Sequence, residues 1–446
     1  MPDPPSAASA PEPVVPVAGG VAGDAGRKAP AEEPFILTAL ASLLGASLWM
    51  ALRPGLLLQF FYSPEMLALT HLVALGFITS LIMGVLLRLV PMALGVAPRS
   101  RRLALLQCGL HLVGWTGMAF HFQQADWIGV AWATVVVLTG ALIQLWNFWG
   151  VLRLACRGHL VAAYVSAALV NLVLAASLGV SFAFLRAYGV GGELLSAPLL
   201  HRIAAHLHLA ALGWVTTMIF GFQLLLLPAT KGSPRAAWAR WAALQGGLLG
   251  AAIALLLGWD HPTPFAAAVL FAVLGHAAGP LRAAARERAS LWELVALGLL
   301  VALACTGVAL SAGWPPAADP LRLRLEFAYG YVALLGWTTI TIASTAFKLF
   351  PVWVWEERFR AESASRPVPP VSALTSRPLL HLSGLLLTLG VCGTATAMLL
   401  GHEPLASLTV WLVVAGVLAF MANFARTARW ALLPLEYRPR GPGPTD

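Results

Sequence analysis

Three histidines carry most of the chemistry this sequence can offer. His71 lies in THLVALGFITSLIMGVLLRLVP, and His206 and His208 lie in AHLHLAALGWVTTMIFGFQLLLLP. His71 and His208 each precede a proline, Pro91 or Pro228, by the same interval. At 1.5 Å per helical residue that interval is about 30 Å, the thickness of a bilayer's hydrocarbon. A neutral imidazole at such depth can ligate haem or copper, hydrogen-bond across helices, or carry a proton. The spacing His206-Leu207-His208 separates two rings by about 200° on a helix, so one helix offers an imidazole to each of two neighbouring gaps.

The elements that must position these rings are membrane spans. Of 446 residues, 59% are hydrophobic and 11% charged, against roughly 25% charged in a soluble domain. This excludes the soluble globular class and gives an all-α polytopic protein. Apolar runs predict twelve transmembrane helices near 36–60, 65–90, 102–122, 127–151, 160–186, 199–228, 237–258, 263–281, 290–312, 325–350, 377–400 and 405–427. An even number puts both ends of the span array on one side, here termed the terminal face. Of the 28 Lys and Arg, only Arg53, Arg186, Arg202, Arg322 and Arg324 then fall on the opposite, far face. That bias predicts a bacterial-type inner-membrane protein with both termini cytoplasmic. The net charge of +9 is thereby an orientation signal; it calls for no nucleic acid and suits contact with anionic membrane lipids. Cys108, Cys156, Cys305 and Cys392 are never spaced as CxxC, which argues against a disulfide framework or zinc site. Residues 1–34 and 431–446 read as disordered cytoplasmic tails around a transmembrane domain at 35–430. Residues 354–376 read as the longest loop on the terminal face and a hinge.

An internal repeat orders the spans. Counting from His71, His208 or Tyr331, glycine follows at Gly76, Gly213 and Gly336, an aromatic at Phe77, Trp214 and Trp337, and threonine at Thr79, Thr216 and Thr339. A small residue follows at Gly84, Gly221 and Ser344, and proline at Pro91, Pro228 and Pro351. The repeat helices, 65–91, 199–228 and 325–351, are the second, sixth and tenth, so the chain is three pseudo-symmetric four-helix units. The small residues allow close helix approach, each proline is expected to stop its helix, and Trp214 and Trp337 are expected to fill the spaces between units. Equivalent residues point the same way around a pseudo-threefold axis. His71 should therefore approach His206 across the gap between the second and sixth helices, while His208 faces Tyr329 of the tenth.

Twelve helices in three units, with histidines near the outer ends of the second and sixth, resemble subunit I of haem–copper oxidases and nitric-oxide reductases. The string H-x4-G-[FW]-x6-G-x6-P is also similar to the NnrS family of haem- and copper-containing membrane proteins linked to nitric oxide. The resemblance implies a haem–copper oxidase subunit I-like fold, with haem b or copper held by His71, His206 and His208 in a respiratory or nitric-oxide-related role. It also implies a c-type cytochrome or another respiratory subunit as partner. The family's active centre needs His-x-His on the tenth helix and His-His on the seventh. Here Tyr329 and Tyr331 replace the first pair, and 237–258 contains no histidine. No catalytic residue is assigned, and conventional oxygen or nitric-oxide reduction is not expected from this chain alone.

Around the histidines, Tyr329, Tyr331, Arg202, Arg322 and Arg324 are candidate supporting residues, the arginines as partners for a haem propionate. Arg88 and Lys348 share one repeat offset and are expected to snorkel to headgroups. His111, His276 and His381 read as packing residues; His121, His159, His201, His261 and His402 read as interfacial. Two other functional classes fit the same spans: a cofactor-free structural or assembly subunit, and a secondary transporter. The absence of mid-span acids and of Gly/Pro-broken helices argues against the transporter.

Overall fold

The computed structural model describes residues 31–191, 196–227, 232–284, 290–363 and 367–432. Most of both expected tails, Pro228, and the basic residues Lys231, Arg286 and Arg288 lie outside the described residues. Among the described residues there are twelve helices long and apolar enough to cross a membrane. They are α1 (Glu33–Leu52), α2 (Pro64–Leu94), α3 (Arg101–Gln123), α4 (Trp127–Asn147), α5 (Leu160–Tyr188) and α6 (Leu199–Leu226). The second half comprises α7 (Pro234–Leu256), α8 (Thr263–Ala284), α9 (Leu291–Ser311), α10 (Pro320–Arg358), α11 (Arg377–Leu400) and α12 (Glu403–Leu432).

Hydrocarbon supplies no hydrogen bonds, so each span must be helical and its ends must be capped at the boundary. Side chains of Ser63, Ser100, Asp126, Ser233 and Ser376 accept from backbone amides at the starts of α2, α3, α4, α7 and α11. At α9, Ser290 and Glu293 form a full capping box. Gly95, Gly189 and Gly401 end α2, α5 and α11 with φ of 64°, 71° and 67°, a conformation glycine adopts without a Cβ penalty.

Several expected boundaries are corrected. The helix expected to begin at 36 starts at Glu33, and α12 continues to Leu432, so both ends of the span array extend into the expected tails. α1 stops at Leu52, where Arg53 leaves helical geometry before a 3₁₀ turn at Pro54–Leu58. Pro91 and Pro351 do not stop their helices: both lie inside, with α2 running to Leu94 and α10 to Arg358. A proline forfeits only its own donor and crowds one carbonyl, which a span near its end tolerates. α6 alone ends its helix before its proline's position, at Leu226, and Leu227 leaves helical geometry with φ −126° and ψ 79°.

The three units are α1–α4, α5–α8 and α9–α12. In each, the second helix lies against the first and third, and the third and fourth form an antiparallel hairpin. The fourth helix packs on the first helix of the next unit, and α12 closes the ring on α1. Small residues set the register in all three. A Cβ on Gly76 would lie 2.7 Å from Ser42 Oγ of α1, one on Gly213 2.8 Å from Asn171 Cβ of α5, and one on Gly336 3.2 Å from Leu299 Cδ1 of α9. One layer further, Gly84 abuts Phe35 at 3.1 Å and Gly221 abuts Tyr164 at 3.0 Å. Ser344 shares a narrow gap with Trp292. Phe35, Tyr164 and Trp292 stand at one offset before Ser42, Asn171 and Leu299, so the first helices of the units are in register as well.

The sequence pattern gave no sign of one backbone feature. Leu72–Thr79, Leu209–Thr216 and Val332–Thr338 are π-helical, a wide turn at the same place in α2, α6 and α10. Hydroxyls occupy the widened turns: Ser80 donates to the Leu75 carbonyl at 3.0 Å, Thr217 to Leu212 at 2.8 Å and Thr339 to Leu334 at 2.9 Å. The units are joined at this level, as expected, by the tryptophans. Trp214 Nε1 donates to Thr79 Oγ1 at 3.1 Å, and Trp337 Nε1 to Thr216 Oγ1 at 3.0 Å. Phe77 has no donor for Thr339, and both line an apolar gap with Leu43 and Leu387.

At the terminal face, carboxylates replace the expected headgroups as partners of the repeat cations. Arg88 pairs with Glu32 at 3.4 Å and Glu357 at 3.5 Å, and Lys348 with buried Glu293 at 2.6 Å. Of residues 354–376, expected as a loop and hinge, 364–366 lie outside the described residues and the rest is tied to the bundle at three points. α10 takes up 354–358, Leu374 is buried against Phe359 and Trp430, and Asn423 of α12 holds both backbone groups of Ser376 at 2.8 and 3.0 Å.

Candidate functional site

The candidate histidines sit one turn on the far side of the wide turns, where α2 ends its regular stretch Pro64–His71 and α6 its stretch Leu199–His208. A carbonyl can only accept, so its partner nitrogen must carry the proton. His71 Nδ1 donates to Leu67 O at 2.7 Å and His208 Nδ1 to Ala204 O at 2.7 Å, the same one-turn bond in two units. His206 Nδ1 donates across to Ala175 O of α5 at 3.0 Å. All three rings therefore present a lone pair on Nε2, the tautomer that a second hydrogen bond fixes in metal-ligating histidines.

What faces each Nε2 separates them. His208 Nε2 accepts from Tyr329 OH of α10 at 3.3 Å. His71 and His206 have no Nε2 partner among the described residues. Each is half-buried, and His206 lies within electrostatic reach of His71. The far-side stretches of α2 and α6 that bear them do not pack closely on each other. The structure thus brings His208 to Tyr329 across the gap between α6 and α10, as the phasing predicts.

The surrounding walls are specific to each ring. Phe122 of α3 stacks on His71 with centroids 5.1 Å apart; Trp127 stands edge-on to Phe122 at 5.8 Å, and the Arg186 guanidinium lies 5.0 Å over Trp127. His206 lies over Gly179 of α5, whose absent Cβ would be 3.3 Å from the ring, with Phe182 edge-on at 6.0 Å. Tyr329 occupies the matching place over Gly307 of α9, at 3.4 Å. Gly179 and Gly307 follow Asn171 and Leu299 by the same interval, whereas Met50 stands there in α1. Aligning the first helices on Phe35, Tyr164 and Trp292 reveals these glycines; no local motif marks Phe122.

Of the candidate supporting residues, Arg322 is engaged by Glu326 at 2.6 Å and the Pro315 carbonyl at 3.1 Å, and Arg324 by the Leu399 carbonyl at 3.3 Å. Arg202 leaves a buried Nε without a partner. In the loop before α2, burial pushes the Tyr62 phenol up, opposed by the nearby Arg186 and Arg202 guanidiniums. Those two arginines are thus the cations on the cleft's side of the far face. Tyr331 is buried and packs into the core of the third unit.

Among the described residues no group of three or more His, Cys, Asp and Glu side chains converges on a point that could hold a metal ion. The other histidines have structural employment. His111 reaches the wide turn of α2 at Ser80 and Leu75, 3.0 and 3.1 Å, and His276 stacks on Phe220 and donates to Gln223 at 2.8 Å. His159 and His402 cap α5 and α12, and His121 pairs with Asp126 at 2.9 Å. No protein-family model matches this chain, and no curated protein matches it in sequence.

Proposed function

We propose that this multi-pass membrane protein binds one b-type haem between α2 and α6, where His71 and His206 would hold its iron, in a respiratory or nitric-oxide-related role. The carrying observation is that His71 and His206, within electrostatic reach of each other, each fix Nδ1 on a backbone carbonyl and leave Nε2 without a protein partner among the described residues. His208, by contrast, has both ring nitrogens engaged, Nδ1 by the Ala204 carbonyl and Nε2 by Tyr329. Two nitrogen ligands on separate helices suit an axially ligated porphyrin; a bare copper ion, which draws on three or more protein ligands, is less well served. Bound haem would supply one-electron or gas-binding chemistry. The chain's own residues would orient the ligands, wall one face with Phe122, and offer Arg186 and Arg202 to the propionates.

We read the threefold ring as the haem–copper oxidase subunit I-like arrangement in a divergent member, NnrS-like in its repeat motif. The terminal face would be cytoplasmic in a bacterial-type inner membrane, and a c-type cytochrome or another respiratory subunit would exchange electrons at the far face. With Tyr329 and Tyr331 in the tenth helix, the chain supplies no copper centre of its own. The test is an optical spectrum with iron analysis of the purified protein. A Soret band with close to one iron per chain supports the reading; a featureless spectrum without iron leaves the structural or transporter classes.

A further inference from the structure

The first unit contains a buried polar seam that its neighbours do not finish. Gln107 and His111 lie one turn apart on α3, and Gly140 of α4 faces their backbone at 3.7 Å. Gln144 and Asn147 continue that face of α4 toward the terminal side, and Met83 of α2 receives Gln107 Nε2 at 2.9 Å. Gln107 and Gln144 are 0% exposed and Asn147 1%. Yet Gln107 Oε1, both amide atoms of Gln144, and Asn147 Nδ2 have no hydrogen-bond partner.

The second unit shows the finished alternative. There Asn171 Nδ2 donates to Gln245 Oε1 at 2.9 Å and to Gly213 O at 3.2 Å, and Gln245 Nε2 donates to Thr217 Oγ1 at 3.0 Å. In the first unit the same kind of amide is buried at comparable depth and left open. Hydrocarbon cannot satisfy it. The four open atoms are two donors and two acceptors without formal charge: the Met83 thioether and the Ser100 amide fix the orientations of Gln107 and Asn147, and exchanging O and N in Gln144 leaves the balance unchanged. A cation would meet N–H groups there and an anion would meet carbonyls. Water matches both, and buried water typically makes about three such bonds.

We propose that the α2–α3–α4 seam holds a file of internal water, entering beside Asn147 and Ser100 at the terminal face and reaching Gln144, Gln107 and the Met83 thioether. It ends below His111, whose Nε2 is already bonded to Ser80 and Leu75. The seam gives this unit aqueous contact with the terminal face to roughly a third of the hydrocarbon's thickness, on the opposite side of the wide turn from the histidine cleft.

The proposal is tested by hydroxyl-radical footprinting of the intact protein, in which radiolysis of internal water oxidises adjacent side chains. Met83, Met50 and Met218 are all at most 1% exposed, so bulk radicals reach none of them. Met83 should be oxidised several-fold faster than Met50 and Met218, and a Gln107→Leu/Gln144→Leu variant should bring it down to their rate. Oxidation of Met83 no faster than the other two in the unaltered protein overturns the proposal, whether or not the variant folds. So does a raised rate that persists in a folded variant.

Discussion

Two layers of the repeat, one turn apart, behave in opposite ways. In the wide-turn layer the three units are nearly interchangeable: each has a π-helical turn, a glycine against the first helix and hydroxyls inside the turn. In the far-end layer the equivalent residues are Leu69 and His71 in α2, His206 and His208 in α6, and Tyr329 and Tyr331 in α10. The first layer is where three helices must meet without lipid between them, so backbone separation and donor satisfaction leave little freedom. One turn further the helices diverge, and side chains there are free to differ. The proposed haem site lies where packing has relaxed.

If that contrast is right, substitutions in the two layers should differ chiefly in stability. Gly213→Val forces a branched side chain into the 2.8 Å approach to Asn171 and the 2.9 Å approach to Leu248. It should cost about 3 kcal/mol, seen as a lowered thermal midpoint, whereas Gly45→Ala, with nothing within 4 Å, should be neutral or slightly stabilising. Thr79→Val leaves the buried Trp214 indole N–H without its acceptor and should cost about 2 kcal/mol. His208→Ala, in the far-end layer, removes a 3.3 Å contact to Tyr329 and should cost no more than about 1 kcal/mol.

The smallest effect lies in the loop between α3 and α4. The Gly129 amide, with help from His121, holds the Asp126 carboxyl below its usual 3.8. A depressed carboxylate pKa adds stability that is present above the ordinary value and lost as pH falls through the folded one. Asp126→Ser keeps the cap but not the titration, so any small advantage of the parent in thermal midpoint should be constant at higher pH and shrink as pH falls below about 4.

Much of this was legible in the sequence. The twelve spans follow from apolar run length, and the fourfold phasing of the units follows from Gly76, Gly213 and Gly336 with their aromatics and threonines. The pairing of His208 with Tyr329 followed from that phasing alone, because equivalent positions rotate together around the axis. The wide turns were not legible: a π turn is set by how three helices meet, and Ser80 or Thr217 is unremarkable until its carbonyl partner shifts by one residue. Helix ends at Pro91 and Pro351 were misplaced because a proline near a span's end is tolerated there. Phe122 escaped notice because its role depends on where α3 lies, which no local pattern records. Glu293 was invisible as the partner of Lys348 for the same reason.

The central claim is that two of the three histidines, and not the third, are ligands, and it is tested most directly by optical spectra of His71→Ala, His206→Ala and His208→Ala beside the parent protein. The account predicts a Soret band in the parent, its loss or collapse to a weakened, shifted band in the first two variants, and its retention in His208→Ala. A band that survives both His71→Ala and His206→Ala, or one lost only with His208, would contradict it.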